Sequence, residues 1–131
     1  MDDRAQIAET NRNFYRAMRT GDMRLMEQVW LHADWVGCVH PGWPLLVGWP
    51  NIRHSWTQIF AGGQSLHIMP SQVVMHIEKD LAWVTCVENI TAHEENAWQH
   101  SVATATNLFQ RANDEWRMIH HHASAMPPPE A

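Results

Sequence analysis

Two histidine-bearing segments carry the chemistry this sequence could do. His40 closes an apolar run and stands directly before Pro41-Gly42-Trp43. His120, His121 and His122 stand together in the last strand-like stretch, Trp116 to Ser124. A neutral imidazole accepts a proton near pH 7, which makes His40 a candidate general base. The plainer alternative is an imidazole that bonds a backbone carbonyl and orders the turn. Side chains alternate along a strand, so His120 and His122 share one face and His121 takes the other. Two histidines at i and i+2 could ligate a metal, but no third and fourth ligands accompany them. No metal is therefore expected, and an interface role for the pair is the simpler reading.

Trp30, Trp43 and Trp56 approach the same region from a second helix, a turn and a third helix. Aromatic walls suit a flat apolar ligand, with core packing as the alternative for at least one of them. Trp83, Trp98 and Trp116 read as sheet-face or interface residues. Glu94-Glu95-Asn96 and Asp114-Glu115 read as solvated turns. No Gly-x-Ser-x-Gly elbow, phosphate loop, dinucleotide fingerprint or Cys-x-x-Cys occurs. Nucleophilic, ATP-dependent and redox chemistry have no motif behind them, and no cofactor is expected.

The elements holding these residues fit one domain of 131 residues, long enough to bury a core. The formal charge is −5 and Lys79 is the sole lysine. Nucleic acid and anionic membrane surfaces both call for clustered cations, so neither is an expected partner. No apolar run approaches the ~20 residues of a membrane span, and the polar N-terminus lacks a signal-peptide core. Cys38 and Cys86 read as reduced and buried, in keeping with a cytoplasmic location. Ten histidines against a charge of −5 mean that acidification toward about pH 5 reverses the net charge.

Along the chain, Asp2 to Thr20 reads as a helix, with Ile7, Phe14 and Met18 at helical spacing. Gly21 stops it and Asp22 caps a second helix running to about Leu31. Trp35 to His40 is strand-like, and Leu45-Leu46-Val47 pairs back across the Pro-Gly turn. Pro50 opens a third helix with Ile52, Trp56, Ile59 and Phe60 as its apolar stripe, ended by Gly62-Gly63. Four strands follow: Leu66 to Lys79, broken early by Pro70, then Leu81 to Thr91, Trp98 to Arg111 and Glu115 to Ser124. From Met126 a proline-rich tail cannot join a helix or an inner strand. Three helices cover one face of such a sheet, so a homodimer is expected to cover the other.

The run Phe14-Tyr15-Arg16-Ala17-Met18 with Gly21-Asp22, and His40-Pro41-Gly42-Trp43 with Gly48, form a wider pattern with three later motifs. These are Ala82-Trp83-Val84-Thr85, Ala105-Thr106-Asn107-Leu108-Phe109 and Trp116-Arg117-Met118-Ile119-His120-His121. The pattern resembles the nuclear-transport-factor-2-like superfamily, which includes ketosteroid isomerase, SnoaL-like polyketide cyclases and the kinase-association hub domain. It is most similar to the SnoaL-like branch. The resemblance implies an α+β, cystatin-like cone: a curved antiparallel sheet wrapped around three N-terminal helices, with an apolar cavity at its open end. The domain would span 1–125, with 126–131 as the tail.

Ketosteroid isomerase uses a tyrosine on its first helix, a carboxylate base before a proline and a protonated aspartic acid on a late strand. By motif matching these fall on Phe14 (Tyr15 lies one place off), on His40 and near Thr106. None is retained, which argues against steroid isomerisation by that route. The same threading puts Ile119 and His121 inside, and His120 and His122 outside near Glu88 or a dimer interface. The resemblance thus implies His40 and His121 as catalytic groups. Tyr15, Trp30, Trp43, Trp56 and Thr106 would surround a small apolar or aromatic molecule. A cofactor-free isomerase, cyclase or dehydratase with His40 as base fits this. A non-catalytic small-molecule-binding or oligomerisation module fits it too, because the fold hosts both.

Overall fold

A computed structural model of the protein describes residues 2–62 and 66–127. Helix α1, Asp3–Thr20, begins where the Asp2 side chain accepts a hydrogen bond from the Ala5 N–H at 2.7 Å. It ends at Gly21, whose φ of 65° is left-handed and therefore suits glycine. Its buried stripe is Ile7, Asn11, Phe14, Tyr15 and Met18, so a polar residue sits in the middle of an apolar face. Helix α2, Met23–Val29, is capped by Asp22. It stops two residues short of the expected Leu31. Trp30 turns to extended backbone and bridges Met118, and the Leu31 N–H donates to the Met118 carbonyl.

Strand β1, Gly37–Val39, pairs antiparallel with β2, Leu46–Val47, across the Pro-Gly turn. Helix α3, Trp49–Ala61, has proline in its first turn and is capped by Gly62. Gly63, expected to share that stop, and Pro128 to Ala131 of the tail lie outside the described residues. Strands β3 (Leu66–Glu78), β4 (Leu81–Glu94), β5 (Ala97–Ala112) and β6 (Glu115–Ala125) complete the chain. Pro70 does not break β3, because it sits on the sheet edge where its missing N–H is not needed. The irregularity falls just after it, between Ser71 and Val74.

The sheet has six strands in the order β2-β1-β6-β5-β4-β3, two more than the four long ones read from the sequence. The extra pair joins because β1 lies parallel to β6, with Cys38 opposite His121. The result is an α+β fold of three helices and a curved open sheet.

Register decides what enters the core. Met75, Val84, Asn107, His121 and Cys38 form one cross-strand row on the inner face. The adjacent row, Val74, Thr85, Thr106 and His122, faces out. Opposite Leu108 and Phe109 of β5 the register shifts, so β6 carries one extra residue and its alternation changes parity. Trp116 and Met118 are inward before the bulge, and His121 and Ala123 after it. Ile119, expected inside, is the bulged residue and is only half-buried. Trp116, expected on a face or interface, is buried and donates its indole N–H to Asp3 Oδ1 at 3.0 Å.

Phe14 sits at the centre of the core and makes ring contacts with Tyr15, Trp30, Trp56 and His121. Truncating a fully buried phenylalanine removes its transfer free energy and leaves a cavity. Phe14→Ala should lower the unfolding free energy by about 3–5 kcal/mol, read from urea denaturation; a loss under about 1 kcal/mol would show that the helix does not key the core.

Candidate active site

His40 follows β1 by one residue, and the turn after it is closed by the Trp43 N–H donating to the His40 carbonyl at 2.9 Å. That turn holds the Trp43 ring edge-on to the imidazole at 4.8 Å. Trp56, from α3, meets the same imidazole at 4.6 Å and near-perpendicular. His40 is 4 % exposed. His40 Nε2 lies 2.9 Å from Ser55 Oγ, and Ser55 donates its own proton to the Ile52 carbonyl at 2.7 Å. Ser55 stands amid the apolar stripe of α3, a polar residue that the stripe pattern passes over.

His121 enters the same space from β6 and is 2 % exposed. Its Nδ1 lies 2.6 Å from Asn107 Oδ1. Asn107 donates to Asn11 Oδ1 at 2.9 Å and to the Tyr15 oxygen at 3.1 Å. Tyr15 in turn donates to Glu88 Oε2 at 2.7 Å. Five polar side chains of β4, β5, β6 and α1 are thus joined through Asn107 and Tyr15 without any solvent exposure above a few per cent.

A cavity of about 240 Å³ opens onto His40, His121 and Glu88. Trp43, Trp56, Met18 and apolar residues of β3 and β4 complete its wall. A second depression of about 280 Å³ adjoins it past Met18, Ile59 and Leu66. The groove of about 390 Å³ beside Tyr15 and Arg16 holds neither histidine and is not the site described here.

Three expected ligand contacts are corrected. Thr106 is exposed on the outer sheet face, because β5 alternates and the inward residue is its neighbour Asn107. Trp30 is fully buried between Phe14 and Trp49, does not line the cavity, and is a core residue. Tyr15 does not line the cavity either; it reaches the site through its bond to Glu88. Trp43 and Trp56 do line it. Glu88, expected outside near His120 and His122, is buried. The alternation of Ala82, Val84 and Cys86 carries it inward, and that period was the available signal. Asn107 was findable in the same way, between Ala105 and Phe109.

Burial sets the electrostatics. It depresses the His40 pKa to about 4 and that of His121 to about 3, the neighbouring His40 also lowering the latter. Both imidazoles are therefore neutral near pH 7. Burial raises the Glu88 carboxyl, opposed by the hydrogen bond from Tyr15. It also raises the Tyr15 phenol and the Cys38 thiol, with Glu88 adding to each. Cys38 is thus a packed thiol rather than a nucleophile. The His120 and His122 rings lie 6.1 Å apart on the outer side, tilted by 34°, and no group of three metal-ligating side chains occurs among the described residues. No described helix is long and apolar enough to cross a membrane.

A model of the SnoaL-like domain matches residues 7–129. The chain belongs to the SnoaL-like family. Among solved structures it is similar to a proposed dehydratase of the nuclear-transport-factor-2-like family from Streptomyces avermitilis. That match is 32 % identical, covers 96 % of this chain and 97 % of the other, and has a TM-score of 0.89. It is also similar to a proposed calcium/calmodulin-dependent protein kinase type II association domain from Thiobacillus denitrificans. There the identity is 28 %, the coverage 90 % and 93 %, and the TM-score 0.75. Among curated proteins it matches the F-box protein SKIP8 of Arabidopsis thaliana, 29 % identical over 120 residues. This SnoaL-like chain spans 92 % of its own length in that match but about half, 49 %, of the relative's.

The buried histidines make stability pH-dependent. Their folded pKa values lie below the unfolded one, so the unfolded state takes up protons first as pH falls from about 6.5. Each should cost about 2 kcal/mol of stability on going from pH 8 to pH 5. Glu88 acts oppositely: its raised folded pKa favours the fold at low pH, and that contribution is lost as pH rises through the folded value. Both histidines act in the same direction, so their contribution to the stability of the wild type should fall between pH 6.5 and pH 5. Urea unfolding at half-unit steps checks this, with His40→Gln and His121→Gln each flattening the slope. A slope unchanged in both variants would refute the assignment.

Proposed function

We propose that this SnoaL-like protein is a cofactor-free enzyme that moves protons on a small, mostly apolar carbonyl compound, with dehydration as the leading reaction. One observation carries the reading: His40, His121 and Glu88, from three different strands or strand ends, meet on one aromatic-walled cavity. Neutral imidazoles beside a carboxyl of raised pKa provide a base and an acid together. In a dehydration, His40 takes the proton from the carbon next to the carbonyl. The C–H electron pair becomes the new C=C bond as the β-carbon–oxygen bond breaks. The Glu88 carboxyl gives its proton to the departing oxygen, which leaves as water, and the imidazolium proton then returns to the carboxylate. His121 contacts the substrate beside this pair. Isomerisation or cyclisation would use the same first transfer. The likeness to the Streptomyces proposed dehydratase supports the choice among these. The cavity volume, about 240 Å³, is just below the usual ~300 Å³ for ligand pockets and suits a one-ring molecule.

A panel of β-hydroxycarbonyl compounds, followed by the absorbance of the conjugated product, tests this. His40→Gln and Glu88→Gln should each lower kcat/KM by about 10²–10⁴-fold while both variants remain folded by circular dichroism. Undiminished turnover in either variant would remove that residue's role.

The second reading, a binding or assembly module, draws on the kinase-association relative and on the outer sheet face. Val74 and Trp83 lie exposed there in neighbouring strands. We place a homodimer contact on this face, independent of whether the cavity is catalytic. Light scattering at micromolar concentration should give twice the 15.2 kDa chain mass, and Val74→Glu should return it to one. A monomeric wild type would discard the dimer.

A further inference from the structure

The hydrogen bonds around the two cavity histidines have a fixed polarity, and that polarity selects a ligand. We propose that the cavity takes an uncharged molecule that donates hydrogen bonds to bare imidazole nitrogens, and that Ser55 and Asn107 are the positioning residues that keep those nitrogens bare. The inference rests on the cavity being the working site, but not on its being catalytic.

At His40 the argument is a count of protons. The Ser55 hydroxyl has one, and it goes to the Ile52 carbonyl. The 2.9 Å contact between Ser55 Oγ and His40 Nε2 therefore needs its proton from the imidazole. In the neutral ring this leaves Nδ1 as the lone-pair nitrogen. Cys38 Sγ lies 3.9 Å from Nδ1 and 3.8 Å from Nε2. A thiol is a weak donor and at this distance a weak partner, so the Nδ1 lone pair keeps room for a stronger donor.

At His121 the chain of bonds is longer but equally directed. Tyr15 donates to Glu88, so the phenol oxygen must receive from Asn107 Nδ2. The other Nδ2 proton goes to Asn11 Oδ1. The amide orientation of Asn107 is thereby set, and its Oδ1 can only accept from His121 Nδ1 at 2.6 Å. His121 Nε2 is left bare. A neutral imidazole in water prefers the opposite tautomer, so Asn107 holds His121 in the less common form.

The rest of the wall agrees. Glu88 is the other titratable group on the cavity, and no lysine or arginine lines it. A carboxylate ligand would meet no cation there and would face two acceptors. The unpaired indole N–H of Trp56 is enclosed by protein and offers no substitute. A hydroxyl or N–H group satisfies both lone pairs, and an ether or ester of the same shape satisfies neither.

Two measurements on the full chain test this, and neither needs turnover. Long-range proton–nitrogen NMR of histidine-labelled protein at pH 7.5 should show the Nε2–H tautomer at His40 and the Nδ1–H tautomer at His121. Asn107→Leu should move His121 to the Nε2–H form. Should that variant fail to fold, Ser55→Ala gives the equivalent readout, a loss of the fixed tautomer at His40. The reverse tautomer at either histidine of the wild type overturns the proposal. Calorimetric titration then compares three probes: resorcinol, its dimethyl ether and benzoate. Resorcinol should bind at least ten-fold tighter than the other two. Equal or tighter binding of the ether or of benzoate, or no binding of resorcinol, overturns the ligand class. Correct tautomers and donor preference without any dehydratase activity would leave this inference standing and sink the enzyme alone.

Discussion

Asn107 is the amide through which the site is wired. It joins α1, β4 and β6 by accepting from His121 and donating to Asn11 and to Tyr15, which passes the bond on to Glu88. Each of these groups would cost several kcal/mol if buried unpaired. Together they are satisfied, so a polar cluster can sit inside an apolar cone. The same bonds fix a helix against the inner face of the sheet and set the direction in which two side chains meet the cavity. Stability and site geometry are in this way two consequences of one set of contacts.

The cavity follows from how the remaining volume is filled. Phe14, Trp30 and Trp49 close the helix side, and Trp30 is drawn there because its backbone has left α2 to bridge β6. Trp43 and Trp56 pack against His40 rather than over the cone, and so the space beside His40, His121 and Glu88 stays open. Desolvation there keeps the imidazoles neutral and raises the carboxyl. An imidazole near pH 7 in water is a matched base; buried to a pKa of about 4 it is a weaker one that is free of protons over a wider range. The tuning of this site is toward neutral acceptors, which a sequence-level reading of histidine does not anticipate.

Much of the fold was legible locally. Asp2 and Asp22 as caps, Gly21 as a stop, Pro50 in a first turn and the alternation of the long strands each act through nearest neighbours in the chain. Their signals survive folding because the physics is local. Parity decides two departures from that local pattern. Motif matching placed the late polar site near Thr106, yet β5 turns Asn107 inward. In β6 a bulge reverses the alternation after Met118, so Trp116 and His121 both face in although an odd number of positions separates them. A bulge is set by the partner strand, and no periodicity in one strand reveals it.

The sequence by itself determined the element order, the α+β class, the histidine and tryptophan supply and the place of His40 before its turn, because propensity, capping and turn chemistry depend on neighbours along the chain. Only the tertiary structure decided that β1 joins β6 in parallel, that Trp30 is core, and that Ser55 and Asn107 bond the two imidazoles. Those outcomes depend on register between strands far apart in the chain and on which helix side chain fills the space they leave. A shift of one residue would exchange the inner and outer rows of the sheet, and with them the entire cast of the site.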